Sequence, residues 1–142
     1  MARLWGSGFE NNTTATNVEW GSTVGDAPSI QTSIVRSGSY AMRVTSMNSA
    51  TRKAIQYIFS SANSIGPLYF RVAVRIDTLP SVEMRVLDIL DTGAINRCRV
   101  TLDGSGILRL YDEDGLIGAA GAAIPSATWF VLELLFDASG AP

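Results

Sequence analysis

Leu68-Tyr69-Phe70-Arg71-Val72-Ala73-Val74-Arg75-Ile76 alternates without a break. Phe70, Val72, Val74 and Ile76 fall on one side of an extended chain, and Tyr69, Arg71, Ala73 and Arg75 on the other. A period of two is that of a β-strand with one face in a core and the other toward solvent or a partner. The same pattern recurs outward from this stretch. Thr128-Trp129-Phe130-Val131-Leu132-Glu133-Leu134-Leu135-Phe136 sets Phe130, Leu132, Leu134 and Phe136 against Trp129, Val131, Glu133 and Leu135. Asn96–Leu102 sets Cys98, Val100 and Leu102 inward against Arg97, Arg99 and Thr101 outward. Ile107–Tyr111 returns with Leu108 and Leu110 inward and Arg109 outward.

Turn chemistry separates these runs. Asp103-Gly104-Ser105-Gly106 and Asp112-Glu113-Asp114-Gly115 predict hairpin turns, because Asp bonds its own backbone and Gly accepts positive φ. Ile30–Val35 and Tyr40–Thr45 flank Arg36-Ser37-Gly38-Ser39 as a further hairpin, and Thr51–Phe59 is another strand. Arg3–Glu10, anchored by Trp5 and Phe9, and Val18–Trp20 are short strands, and Gly21–Pro28 is turn-rich. Pro80 ends the strand that precedes it. Glu83–Leu90 reads as strand, its Val and Ile outweighing a helical pattern. Residues 116–127 are small and apolar, broken by Gly118, Gly121 and Pro125, and predict a loop or weak strand. Nine or ten strands at short spacing without a helix imply an all-β, antiparallel β-sandwich or jelly roll, with residues 1–142 as a single domain.

Composition narrows the function. The chain has 142 residues, 46% hydrophobic and 17% charged, with a net charge of −2. That is enough apolar material for a core, and too little positive charge for broad nucleic-acid binding. The basic residues are arginines apart from Lys53; a planar, weakly hydrated guanidinium suits interfaces. Cys98 is the sole cysteine and reads as a small core residue. No run is long enough for a signal peptide or a membrane span. The expectation is therefore a protein made in a cytoplasm, in which Asn12-Thr13-Thr14 is a polar loop.

The order of these elements resembles the concanavalin A-like lectin and glucanase superfamily of jelly rolls. The carrying stretches are Gly8-Phe9-Glu10 with Trp20, Val35–Val44, Phe70–Ile76 followed by Leu79-Pro80, Arg99–Gly115, and Thr128–Phe136. Members are usually longer, and the strands expected after Thr128–Phe136 are missing, so the resemblance implies a sandwich incomplete at its C-terminus or finished by another chain. A short chain opening MARLWGSGFE without a signal peptide is similar to structural proteins of tailed bacteriophages, which serve as capsid decoration proteins or parts of tails and fibres. That implies a virion protein assembled in the host cytoplasm, whose partners are copies of itself and the major capsid protein. The alternative is a carbohydrate-binding module or tail adhesin.

Catalysis finds little support in the residues. Glycoside hydrolysis needs two carboxylates on one face, about 5 Å apart in retaining enzymes. Glu83 and Asp88 are the acidic pair on one strand, and strict alternation sends them to opposite faces. With no histidine in the chain, the Ser-His-Asp and Cys-His routes are closed. No metal or cofactor is expected; Asp103 and the Asp112–Gly115 turn could offer oxygens to Ca²⁺, but such turns are Asp-rich for backbone reasons. Two binding surfaces remain. Arg71, Arg75, Arg97, Arg99 and Arg109, with Tyr69 as an exposed stacker, form an Arg-rich face if their strands share a sheet. It would suit an acidic glycan or a partner's acidic patch, or else be a solvated ladder with Glu133, Asp88 and other acids. Trp129, Val131, Glu133 and Leu135 form an interface on an edge strand.

Overall fold

Ten β-strands and no helix make up the described part of the computed structural model, which comprises residues 12, 22–24, 28–44, 54–56, 67–90 and 96–137. Every strand pairing is antiparallel. The chain gathers into two units, Met1–Ser60 and Ser61–Pro142. Arg3–Glu10 and Val18–Trp20, expected as strands, lie outside the described residues.

In the first unit, β1 (Ser22–Val24) pairs with β4 (Ala54–Gln56), and β2 (Ser29–Gln31) with β3 (Ala41–Arg43). Two expectations are corrected here. Ser22–Val24 is strand, where a turn was predicted. The hairpin has shorter strands and a longer loop than the Arg36–Ser39 turn implied. The Gln31 side chain is the reason. Its Oε1 accepts from the Ile34 N–H at 2.9 Å and the Ser33 hydroxyl at 2.9 Å, and its Nε2 donates to the Ile34 carbonyl. A side chain that captures nearby backbone groups competes with the ladder and ends the strand.

In the second unit, β5 (Leu68–Arg75) pairs along its whole length with β10 (Trp129–Phe136), Leu68 opposite Phe136 and Arg75 opposite Trp129. Directly opposed residues share a face. Leu68, Phe70, Val72 and Val74 therefore lie beside Phe136, Leu134, Leu132 and Phe130, as the alternation predicted. Val72 is nonetheless 42% exposed.

The other sheet runs in the order β6 (Met84–Leu90), β7 (Asn96–Leu102), β8 (Leu108–Asp112), β9 (Leu116–Ile117). Its central strand β7 carries the core. Cys98, Val100 and Leu102 are 5, 4 and 0% exposed, the deepest apolar side chains of this unit among the described residues. Burying a leucine completely contributes about 1.5–3 kcal/mol. A recess of about 260 Å³ is lined by Cys98, Leu110 and Ile117, with Arg97 and Asp112, from this sheet and by Leu134, Leu135 and Phe136 from β10, so the two sheets border one space.

Both predicted turns form. Asp103 Oδ1 accepts from the Ser105 and Ile107 N–H groups at 2.8 and 3.0 Å, and Asp112 Oδ1 from those of Asp114 and Gly115 at 2.9 Å each. Gly106 has φ +80, and a Cβ there would meet the Ile124 carbonyl oxygen at 2.9 Å. Its own carbonyl accepts from the Ile124 N–H at 2.8 Å. The first turn is thus clamped against the strap leading to β10.

Leu102→Ala should lower the unfolding free energy by about 2–5 kcal/mol in urea titration. The exposed Leu90→Ala should change it by less than about 0.5 kcal/mol. Gly106→Ala should cost about 1–3 kcal/mol, since the left-handed backbone and the close Ile124 carbonyl both oppose a methyl group.

Candidate binding surfaces

A β-bulge decides which charges meet. On β6, Arg85 opposes Thr101 and Leu87 opposes Val100, leaving Val86 as an extra residue. A bulge moves every later side chain of the strand to the other face. Strict alternation would place Leu87 and Ile89 with Arg85. The bulge turns them toward the core and brings Asp88 onto the Arg85 side, where the two pair at 3.4 Å. Glu83, expected on this strand, lies just before it and borders a recess with Arg85 and Arg99. A second irregularity, between Ile89 and Leu90, opposes Asn96 to Leu90. With its amide oxygen turned to the donor, Asn96 accepts from Arg85 Nη1 at 3.1 Å and donates to Asp88 Oδ1 at 3.3 Å.

The five arginines expected on one face are divided. Arg71 and Arg75 belong to the β5–β10 ribbon, and Arg97, Arg99 and Arg109 to the four-stranded sheet. Arg97 borders the recess beside Cys98 and pairs with Glu113. Arg99 and Arg109 share the polar face of β7 and β8, joined by Arg85, which the sequence reading did not select. The signal for Arg85 was its place in a strand of doubtful assignment, and no alternation rule could anticipate the bulge. Arg109 Nη1 lies 2.5 Å from Asp103 Oδ2. The Arg99 guanidinium carbon stands 4.7 Å from the centre of the Tyr111 ring, a cation–π distance. Thr101, expected to face outward, lies on this face but is only 4% exposed.

On the ribbon, Tyr69, Arg71, Ala73 and Arg75 oppose Leu135, Glu133, Val131 and Trp129. The expected edge-strand interface and the Tyr69–Arg71–Arg75 group are therefore one surface. Arg71 and Glu133 form a cross-strand ion pair at 3.2 Å, and Arg75 pairs with Asp77 at 2.6 Å. With side chains 64 and 46% exposed, Arg71–Glu133 contributes at most about 1 kcal/mol. The Tyr69 phenol is held above its usual pKa by desolvation and by the Glu133 carboxylate beside it, against the opposing pull of Arg71.

Backbone N–H of Ile107 first, then the Arg109 guanidinium, hold the Asp103 carboxyl below the usual range, and Asp103 in turn raises Arg109. Burial, then Asp112 and Asp88, push the Cys98 thiol up. Among the described residues no three of His, Cys, Asp and Glu cluster as a metal site, and no helix is long and apolar enough to cross a membrane.

Fold and surfaces together define an all-β protein of antiparallel sheets, with one charged face and one ribbon that exposes apolar side chains. Compared with protein-family models, curated proteins and solved structures, the chain matches none.

Asp103 stabilises the folded state fully above the unfolded aspartate pKa of about 3.9, and that contribution is lost as pH falls through its lower folded value. The difference in urea stability between the wild type and Asp103→Asn should therefore be largest at neutral pH and shrink below about pH 4. Cys98 should resist a thiol-specific disulfide reagent at pH 8 in buffer and react stoichiometrically in denaturant.

Proposed function

We propose that this chain is a non-enzymatic structural protein of a tailed-bacteriophage virion, a capsid decoration protein of jelly-roll type. It acts through contacts with copies of itself and with the major capsid protein. The virion part rests on the sequence resemblance. The assembly part is supported by one observation, the exposed face of the β5–β10 ribbon beside a β10 edge that has no strand partner among the described residues.

Among the described residues β10 pairs with β5 alone, so one of its edges has no strand partner among them. Natural edge strands are guarded by charges, proline or bulges. β10 has one charge in eight residues, Glu133, and that charge is paired to Arg71. Beside it Tyr69, Val131 and Leu135 are 52, 36 and 60% exposed. A second β10, antiparallel across a two-fold axis, would pair along that edge of β10 and cover these side chains. On a shell, many such contacts would add through effective concentration.

A glycan-binding module would call for clustered exposed aromatic rings. Among the described residues, Tyr69 is the one aromatic side chain in the exposed apolar set, and the others are aliphatic. The balance of the surface thus supports protein–protein assembly.

Light scattering over a range of concentrations should give a defined oligomer for the wild type and a monomer for Leu135→Glu, with circular dichroism unchanged. A wild-type monomer at every concentration would overturn the assembly reading. Sedimentation with capsids lacking the protein tests the shell reading separately.

A further inference from the structure

The polar face of the four-stranded sheet holds a shallow recess of about 210 Å³, lined by Glu83, Met84, Arg85, Arg99 and Thr101. Two polar atoms there are enclosed and lack a hydrogen-bond partner, Arg99 Nε and Thr101 Oγ1. Thr101 is 4% exposed, so solvent does not readily satisfy its hydroxyl. An unsatisfied buried donor is costly, and a bound ion or water is one way to satisfy it. The other arginines of this face are occupied, Arg85 by Asp88 and Arg109 by Asp103. Arg99 stands opposite Asp88 in register, but that carboxylate is turned to Arg85. Tyr111 beneath the Arg99 guanidinium fixes its plane without neutralising its charge.

We propose that this recess binds a carboxylate, gripped by Arg99 and by the Thr101 hydroxyl. A guanidinium fork matches the planar, two-oxygen geometry of a carboxylate, and a hydroxyl beside it donates a further bond. The charge balance selects a monoanion. Among the described residues Arg99 has no ion-pair partner, while Glu83 at the rim and Asp88 nearby oppose a dianion such as phosphate. The carboxylate belongs either to a small free acid or to an acidic sugar. The site stands apart from the ribbon and does not depend on how the chain assembles.

The test is amide chemical-shift titration of the full chain with sodium acetate, sodium glucuronate and glucose, at constant ionic strength set with chloride. Acetate and glucuronate should give saturable shifts at Arg85, Arg99 and Thr101, and glucose none. Tighter binding of glucuronate assigns an acidic sugar; equal binding assigns a free carboxylate. Arg99→Gln should weaken binding about tenfold or more. Glu83→Gln should tighten it by removing a like charge. Thr101→Val should weaken binding yet leave the melting temperature equal or higher, since it removes an unpaired buried hydroxyl. The proposal fails if neither carboxylate gives saturable shifts at millimolar concentration, or if Thr101→Val, still folded, binds as the wild type does.

Discussion

Strand β7 must satisfy two neighbours and two faces at once, and the second unit depends on how it does so. It is paired on both edges, by β6 and β8. Its period of two places Cys98, Val100 and Leu102 in the core and leaves Arg99 and Thr101 on the opposite face. β6 cannot match it by alternation alone, because its apolar residues Met84, Val86, Leu87 and Ile89 are out of phase. The extra residue at Val86 resolves the conflict. It gives the core Leu87 and Ile89, and the same half-turn delivers Asp88 to Arg85. One packing requirement thereby arranges the charges of the polar face.

The two charged surfaces follow different logics. On the polar face two acidic side chains are committed, Asp88 to Arg85 and Asp103 to both its own turn and Arg109. Asp103 is the most tightly used, since backbone and guanidinium both favour its charged form. What stays uncommitted is Arg99 with Thr101. On the ribbon the cross-strand ion pair of Arg71 and Glu133 is exposed and weak, and the exposed area beside it is aliphatic and phenolic. The first surface suits recognition of a small charged group and the second suits area burial against another β-strand.

Much of the architecture was legible because its signals are local. β5, β7 and β10 alternate strictly, and their observed bounds match the sequence reading within a residue. The two Asp-Gly turns carry their own hydrogen-bonding logic, and they form where the sequence put them. Reading failed where a side chain or a bulge intervened. Gln31 cut short a strand whose pattern continued, and Ser22–Val24 became strand through pairing with β4 despite turn-forming neighbours.

By itself the sequence determined the all-β class, the strands with unbroken alternation, the turns between β7, β8 and β9, and the burial of Cys98. These depend on residue type and a fixed two-residue period. Tertiary structure alone decided which strands share a sheet, and so divided Arg71 and Arg75 from Arg99 and Arg109. It also joined Tyr69 to Leu135 and left Arg99 Nε and Thr101 Oγ1 without hydrogen-bond partners beside a recess. The physical reason is that alternation specifies a face within one strand, whereas strand order and bulges are set by long-range pairing and by the need to fill a core.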